Sequence, residues 1–193
     1  MISDAEFAEW LDSQSRERVM LVEAEWSSLV DPIGELVNVA LSANGATATG
    51  STEATGYPAS NVINGERAGS AGAYWKDDTT STLPDWVRVD FADLYLVNRV
   101  VVYSVQDTIA SPSEPAPGET GTAYVLRHFE VQAWTGTDWT TIEDVWNFQI
   151  RREITFAPYR TTAIRILIHD TGDGESRVTE IEVFTPAAST GVE

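Results

Sequence analysis

Three aromatic residues stand where the face of a sugar ring could stack on them. Tyr57 and Tyr74 lie in loop-like segments, and Trp75 lies where such a segment meets a strand pattern. A pyranose offers an apolar C–H face to an aromatic ring, and polar side chains then fix its hydroxyls. Groups able to do so flank a proline-rich stretch further along. Gln106 and Asp107 precede it, and Tyr124, Arg127 and His128 follow it. These eight residues are the candidate ligand contacts. Catalytic chemistry has no comparable footing. The chain has no Gly-x-Ser-x-Gly elbow, no phosphate loop and no His-Glu-x-x-His pair. His169 adjoins Asp170, but no nucleophilic serine can be assigned to it. Acidic residues are too numerous for a glycosidase pair to be singled out. The expectation is a protein that binds and does not catalyse.

The elements that must position these groups are strands. Val87, Val89 and Phe91 alternate with Arg88 and Asp90, and Phe129, Val131 and Ala133 with Glu130 and Gln132. Ile154 and Phe156 alternate with Glu153 and Thr155, and Ile164, Ile166 and Ile168 with Arg165, Leu167 and His169. A period of two puts one face in a core and the other toward solvent. Thr135-Gly-Thr-Asp138, between Trp134 and Trp139, reads as a hairpin turn. Short antiparallel strands separated by turn signals predict an all-β fold, a two-sheet β-sandwich or jelly roll. Residues 106–123 hold three prolines and two glycines and little to bury. So long a loop in a compact domain is expected either to contact a ligand or partner or to be a disordered insertion. Asp170-Thr-Gly-Asp-Gly-Glu175 reads as a solvated acidic turn rather than a calcium loop.

Before the strands comes a different pattern. Residues 3–14 read as an amphipathic helix capped by Ser3 or Asp4, with Phe7, Trp10 and Leu11 on one face. Arg18 to Trp26 is strand-like, and Asp31-Pro-Ile-Gly34 reads as a linker. The division is a helix-strand docking extension over 1–35, a sandwich over 36–185 and a tail over 186–193. The extension is expected to dock through Phe7, Trp10, Leu11 and Trp26, because so short a helix is marginal alone.

With 30 acidic and 12 basic residues the formal charge is −18. Such a surface repels phosphate backbones, so nucleic acid is excluded as a partner, and anionic membranes are disfavoured. Neutral sugars, cations and basic proteins remain. Cysteine is absent, which fits synthesis in a reducing compartment. The opening residues lack the basic cap and apolar run of a signal peptide.

Six phrases in fixed order carry a family likeness. They are Asn38-Val-Ala-Leu41, Gly56-Tyr-Pro-Ala-Ser-Asn-Val-Ile-Asn-Gly65, Tyr74-Trp75, Pro84-Asp-Trp-Val-Arg-Val-Asp-Phe91, Phe129-Glu-Val-Gln-Ala-Trp134 and Arg177-Val-Thr-Glu-Ile-Glu-Val-Phe184. Together they resemble the discoidin-like domain, the coagulation factor V/VIII type C domain of the galactose-binding-like superfamily. The resemblance implies a jelly roll that binds glycans or membranes. It also implies that Trp86 and Trp139 pack in or beside the core. It further implies a structural calcium ion (Ca2+), with Asn64, a carbonyl near Arg67, and Glu180 as ligands. Asn64 stands where the family has aspartate, and the stretch to Trp75 is longer than usual.

The opening residues also resemble the start of certain bacteriophage tail proteins. The expected function is therefore a carbohydrate-binding adhesion module, a phage tail component contacting glycans on the host cell surface. The alternative is a structural virion protein, a tail connector or capsid decoration, that kept the fold without sugar binding. The expected partners are a cell-surface glycan and other virion or tail proteins, in a homo-oligomer or multi-copy assembly. The expected location is the virion, after synthesis in the host cytoplasm. A bacterial extracellular or cell-surface location is the alternative.

Overall fold

The structure, a computed structural model, describes residues 36–186, and the expected contacts of Phe7, Trp10, Leu11 and Trp26 lie outside them. Asn38–Pro186 forms one compact unit. Its strands are β1 (Thr47–Gly50), β2 (Trp75–Lys76), β3 (Asp85–Ser104), β4 (Leu126–Trp134), β5 (Trp139–Trp146), β6 (Arg151–Thr171) and β7 (Arg177–Phe184). Every pairing between them is antiparallel.

Two long strands build both layers. The first half of β3 pairs with β1 and with the second half of β6, Val87 lying opposite Gly50 and Ile166. Its second half pairs with β7 and with the first half of β6, Val102 lying opposite Ile181 and Arg152. The β3–β6 register breaks between Asp90 and Tyr95 and again between Val97 and Arg99. Such irregularities bend a strand, here from one layer into the other. One layer is thus β1, β3, β6, β4, β5, and the other is β2, β7, β3, β6. The antiparallel β-sandwich matches the expectation.

Alternation places the core as predicted. Val87, Val89, Phe129, Val131, Ala133, Ile164, Ile166 and Ile168 are buried in the first layer. Val100, Val102, Ile154, Ile181 and Val183 are buried in the second. Their alternates Arg88, Arg165, Leu167 and His169 are only half-buried. Thr135–Asp138 closes the β4–β5 hairpin, Thr135 N–H donating to Asp138 O at 2.9 Å. Ile166 is fully buried, so Ile166→Ala should lower unfolding free energy by about 2–5 kcal/mol in denaturant melts.

Candidate functional site

The register fixes which loops meet. Gly50 lies opposite Val87, Asp85 opposite Ile168, Leu126 opposite Thr171, and Trp75 opposite Val178. The loops 51–57, 77–84, 105–125 and 172–176 therefore converge at one end of the sandwich. Asn38, bridged to Phe184, lies at the other end.

At the loop end Tyr124 and Tyr74 lie beside Arg177, and Tyr57 adjoins Tyr74. Tyr57 stacks on Tyr74, ring centroids 4.7 Å apart. The Arg177 guanidinium lies over the Tyr124 ring at 4.7 Å. Arg177 also donates to Asp173 at 2.9 Å and pairs with Glu175, while Lys76 reaches Glu175 at 2.9 Å. Asp173 and Glu175 are thus not merely a solvated turn. They hold a buried cation whose other side is an aromatic ring. Burial works against the charge of Glu175, but Lys76 and Arg177 keep its carboxyl below the usual range. Tyr74 is pushed up to about 12, first by burial and then by the Tyr57 hydroxyl, so it stays neutral. Tyr57 and Tyr124 remain half-exposed. The cluster offers ring edges, one ammonium and two carboxylates, the groups a sugar's C–H face and hydroxyls require.

Four of the expected contacts are used otherwise. Trp75 is wholly buried, and its indole N–H donates to Thr52 O at 2.9 Å, so it offers no stacking face. Its ring lies over Gly50, where a Cβ would come within 2.8 Å of the indole Cε2. Gln106 is buried and donates to the carbonyls of Ala68 and Ser113, pinning the 106–123 loop. Asp107 accepts the backbone N–H groups of Thr122, Ala123 and Tyr124, which hold its carboxyl below the usual range against the effect of burial. It shapes the loop that presents Tyr124. Arg127 donates to Thr122 O at 3.2 Å and steadies the same turn. Thr120 bridges Gln149, so this loop is tied at several points. Gly172 permits the close approach, because a Cβ there would collide with the backbone of Thr122 and Ala123.

His128 sits apart from the tyrosines, on the outer face of the first layer. It stacks on Trp146 at 4.0 Å and lies 4.7 Å from the His169 ring. Asp144 engages the His128 imidazole at 2.7 Å, and Glu130 engages that of His169 at 2.9 Å. Trp146 is 70% exposed, so its second face is open. Trp139, expected in or beside the core, is half-buried on this outer face under Arg88 and Arg165. Trp86 is half-buried too. Trp146, Lys76, Glu175 and Arg177 were not singled out from sequence as site residues. The legible signal for Trp146 was an aromatic on the polar face of an alternating strand.

The expected metal ligands divide in the same way. Glu180 is fully buried, and Gly65 N–H is shared between its two oxygens at 3.1 and 3.2 Å. Burial pushes its carboxyl up to about 9, and Arg67 only partly offsets this. Arg67 itself bonds Glu182 and Glu114 instead. The Asn64 side-chain oxygen accepts Glu66 N–H at 2.7 Å and is exposed. No cluster of three or more acidic, histidine or cysteine side chains that could hold a metal occurs among the described residues. The buried Glu180 carboxyl has no cation bonded to it among the described residues, and ionised it would be the hard-oxygen ligand calcium prefers.

Known structures share this architecture. The family 32 carbohydrate-binding module of Clostridium perfringens NanJ, solved with galactose, has TM-score 0.59 and 17% identity, covering 78% of this chain and 99% of that one. A Streptococcus pneumoniae fucose-binding module has TM-score 0.58 and 19% identity, covering 78% and 96%. A mutant lectin-binding domain of Lectinolysin, complexed with Lewis b, has TM-score 0.60 and 18% identity, covering 79% and 99%. No curated protein sequence matches the chain significantly. The model of the NedA-like, galactose-binding domain matches residues 61–166, more than half of the sequence, and the chain belongs to that family.

Proposed function

We propose that the protein is a non-catalytic carbohydrate-binding module whose ligand site is the loop end around Tyr124 and Arg177. The observation that carries this reading is the gathering of Tyr124 and the stacked Tyr74–Tyr57 pair beside a buried, carboxylate-held arginine. It occurs in a fold shared with modules solved with galactose and Lewis b. Glycan hydroxyls would meet Lys76, Asp173 and Glu175, and a pyranose face would lie on Tyr124 or Tyr57. Half-exposed stacking rings favour weak monovalent affinity, with a dissociation constant on the order of 0.1–1 mM. Several copies would multiply it.

Calcium, on this reading, would be held by Asn64, a carbonyl near Arg67 and Glu180. It would supply the positive charge that the buried carboxylate lacks. The likeness of the opening residues to tail proteins supports a module carried on a phage virion and displayed in several copies to host-surface glycans. Immunogold labelling of virions with antibody to this chain tests that location. The structural-virion alternative predicts no glycan binding even in multivalent display.

The ligand site is tested on a neutral glycan array followed by titration. Tyr124→Ala should weaken binding about tenfold, as loss of a stacking platform does, and leave the melting temperature nearly unchanged. If Tyr124→Ala binds normally while Trp146→Ala does not, the sheet face carries the sugar and the loop-end assignment is wrong.

A further inference from the structure

The second layer has an outer cleft that the loop-end site does not use. It encloses about 360 Å³, at the small end of small-molecule sites. Its floor comes from the alternates of the core strands: Arg99, Tyr103, Arg151, Glu182 and Phe184. Pro115 and Glu114 of the 105–125 loop form one wall.

Most of its charges are satisfied. Arg67 bonds Glu182 and Glu114. Arg151 donates to the Tyr103 hydroxyl at 3.3 Å and to Glu153 at 3.0 Å. Tyr103 in turn donates to Glu182 at 3.0 Å. Arg99 is the exception. Its guanidinium lies 4.1 Å above the Phe184 ring, and Glu153, 3.7 Å from it, is too far to accept a hydrogen bond. Its Nε is buried and has no hydrogen-bond partner among the described residues. With Nε buried, the two outer nitrogens, which hydrogen-bond no described residue, form a donor pair oriented by an aromatic ring that matches a carboxylate in shape and charge. Beside it, the exposed Glu114 gives one oxygen to Arg67 and keeps the other for a hydroxyl donor, whereas both oxygens of Glu182 are taken by Arg67 and Tyr103.

The geometry points to this cleft as a binding site for an acidic monosaccharide unit, a uronic or sialic acid, with its carboxylate on Arg99 and its hydroxyls toward the free oxygen of Glu114. The mixed lining selects a sugar over an acidic peptide side chain. A sugar supplies one carboxylate together with several hydroxyls, whereas an aspartate or glutamate side chain has no hydroxyl to offer the free oxygen of Glu114. The overall charge of −18 opposes long-range attraction of any anion. Affinity must therefore come from the contact itself, and salt should weaken it only modestly.

The test is a titration of the full chain, 15N-labelled, with glucuronate and with N-acetylneuraminate, against glucose and galactose as uncharged controls. One of the two acids should shift the Arg99 Nε–Hε resonance. Arg99→Met, which keeps an apolar stem on Phe184, should weaken that acid about tenfold, the worth of a charge-assisted hydrogen bond. Arg99→Lys, which keeps the charge and loses the fork, should weaken it to an intermediate degree. Tyr124→Ala should leave it unchanged, which separates this cleft from the loop-end site. Failure of both acids to move the Arg99 signal overturns the proposal. So does equal binding of galactose in the cleft, or full retention of binding in Arg99→Met. If Arg99→Met does not fold, undiminished binding by Arg99→Lys overturns it.

Discussion

In the presence of a chelator, stability should fall steadily as the pH rises from about 4.5 toward 9, and Glu180→Gln should remove most of that slope. The Glu180 carboxyl is pushed from an ordinary 4.5 up to about 9, chiefly by burial. Between those values the folded protein keeps a proton that the unfolded chain has released. Folding therefore binds protons, and each unit of rising pH weakens the fold by up to about 1.4 kcal/mol. The stabilisation is complete below pH 4.5 and gone above about pH 9. The amide introduced by Glu180→Gln would remain neutral throughout, and its oxygen could still accept the Gly65 N–H. If Glu180 holds calcium as proposed, the metal should reverse the dependence, because it would take the deprotonated carboxylate. Added calcium should raise the melting temperature above neutral pH and do little near pH 5. Melting curves of both proteins, with calcium and with chelator, check this. If calcium has no effect at pH 8–9 while the chelator slope persists, Glu180 is a buried acid and the metal assignment fails.

Trp75→Ala should cost about 3–5 kcal/mol of stability, among the largest losses available to a single truncation here. The indole is wholly enclosed, lies over Gly50, and donates to Thr52 O. Removing it leaves a cavity and an unpaired carbonyl, and the 51–57 loop loses its anchor. Trp75→Phe should retain most of the packing and lose about 1 kcal/mol with the hydrogen bond. Gly50→Ala should destabilise by the converse route, since a methyl group there meets the indole. Denaturant unfolding followed by circular dichroism measures all three. An unchanged midpoint in Trp75→Ala would place the indole at the surface and restore it as a stacking platform.

The alternation of Val87 to Phe91, of Phe129 to Ala133 and of Ile164 to Ile168 is a local property, because strand geometry sends successive side chains to opposite faces. It was enough to assign the sandwich, its buried positions and the turn at Thr135–Asp138. Composition alone set the charge and, through it, the expectation that nucleic acid is not a partner. The six ordered phrases were enough to suggest the family. What each loop residue does was a different matter. Trp75 and Tyr124 look alike as aromatic loop residues, yet one is sealed under Gly50 and the other faces solvent beside Arg177. Gln106 and Asp107 look like ligand contacts, yet their hydrogen bonds are spent holding the chain around them. Arg67 lies 115 positions from its partner Glu182, and Arg177 begins β7 while Tyr124 sits in a loop before β4. Such pairings depend on register and strand crossing, which bring together groups with no sequence relation. Only the tertiary structure could show which side chains have spare hydrogen-bonding capacity, because that is decided by neighbours and burial rather than by residue type.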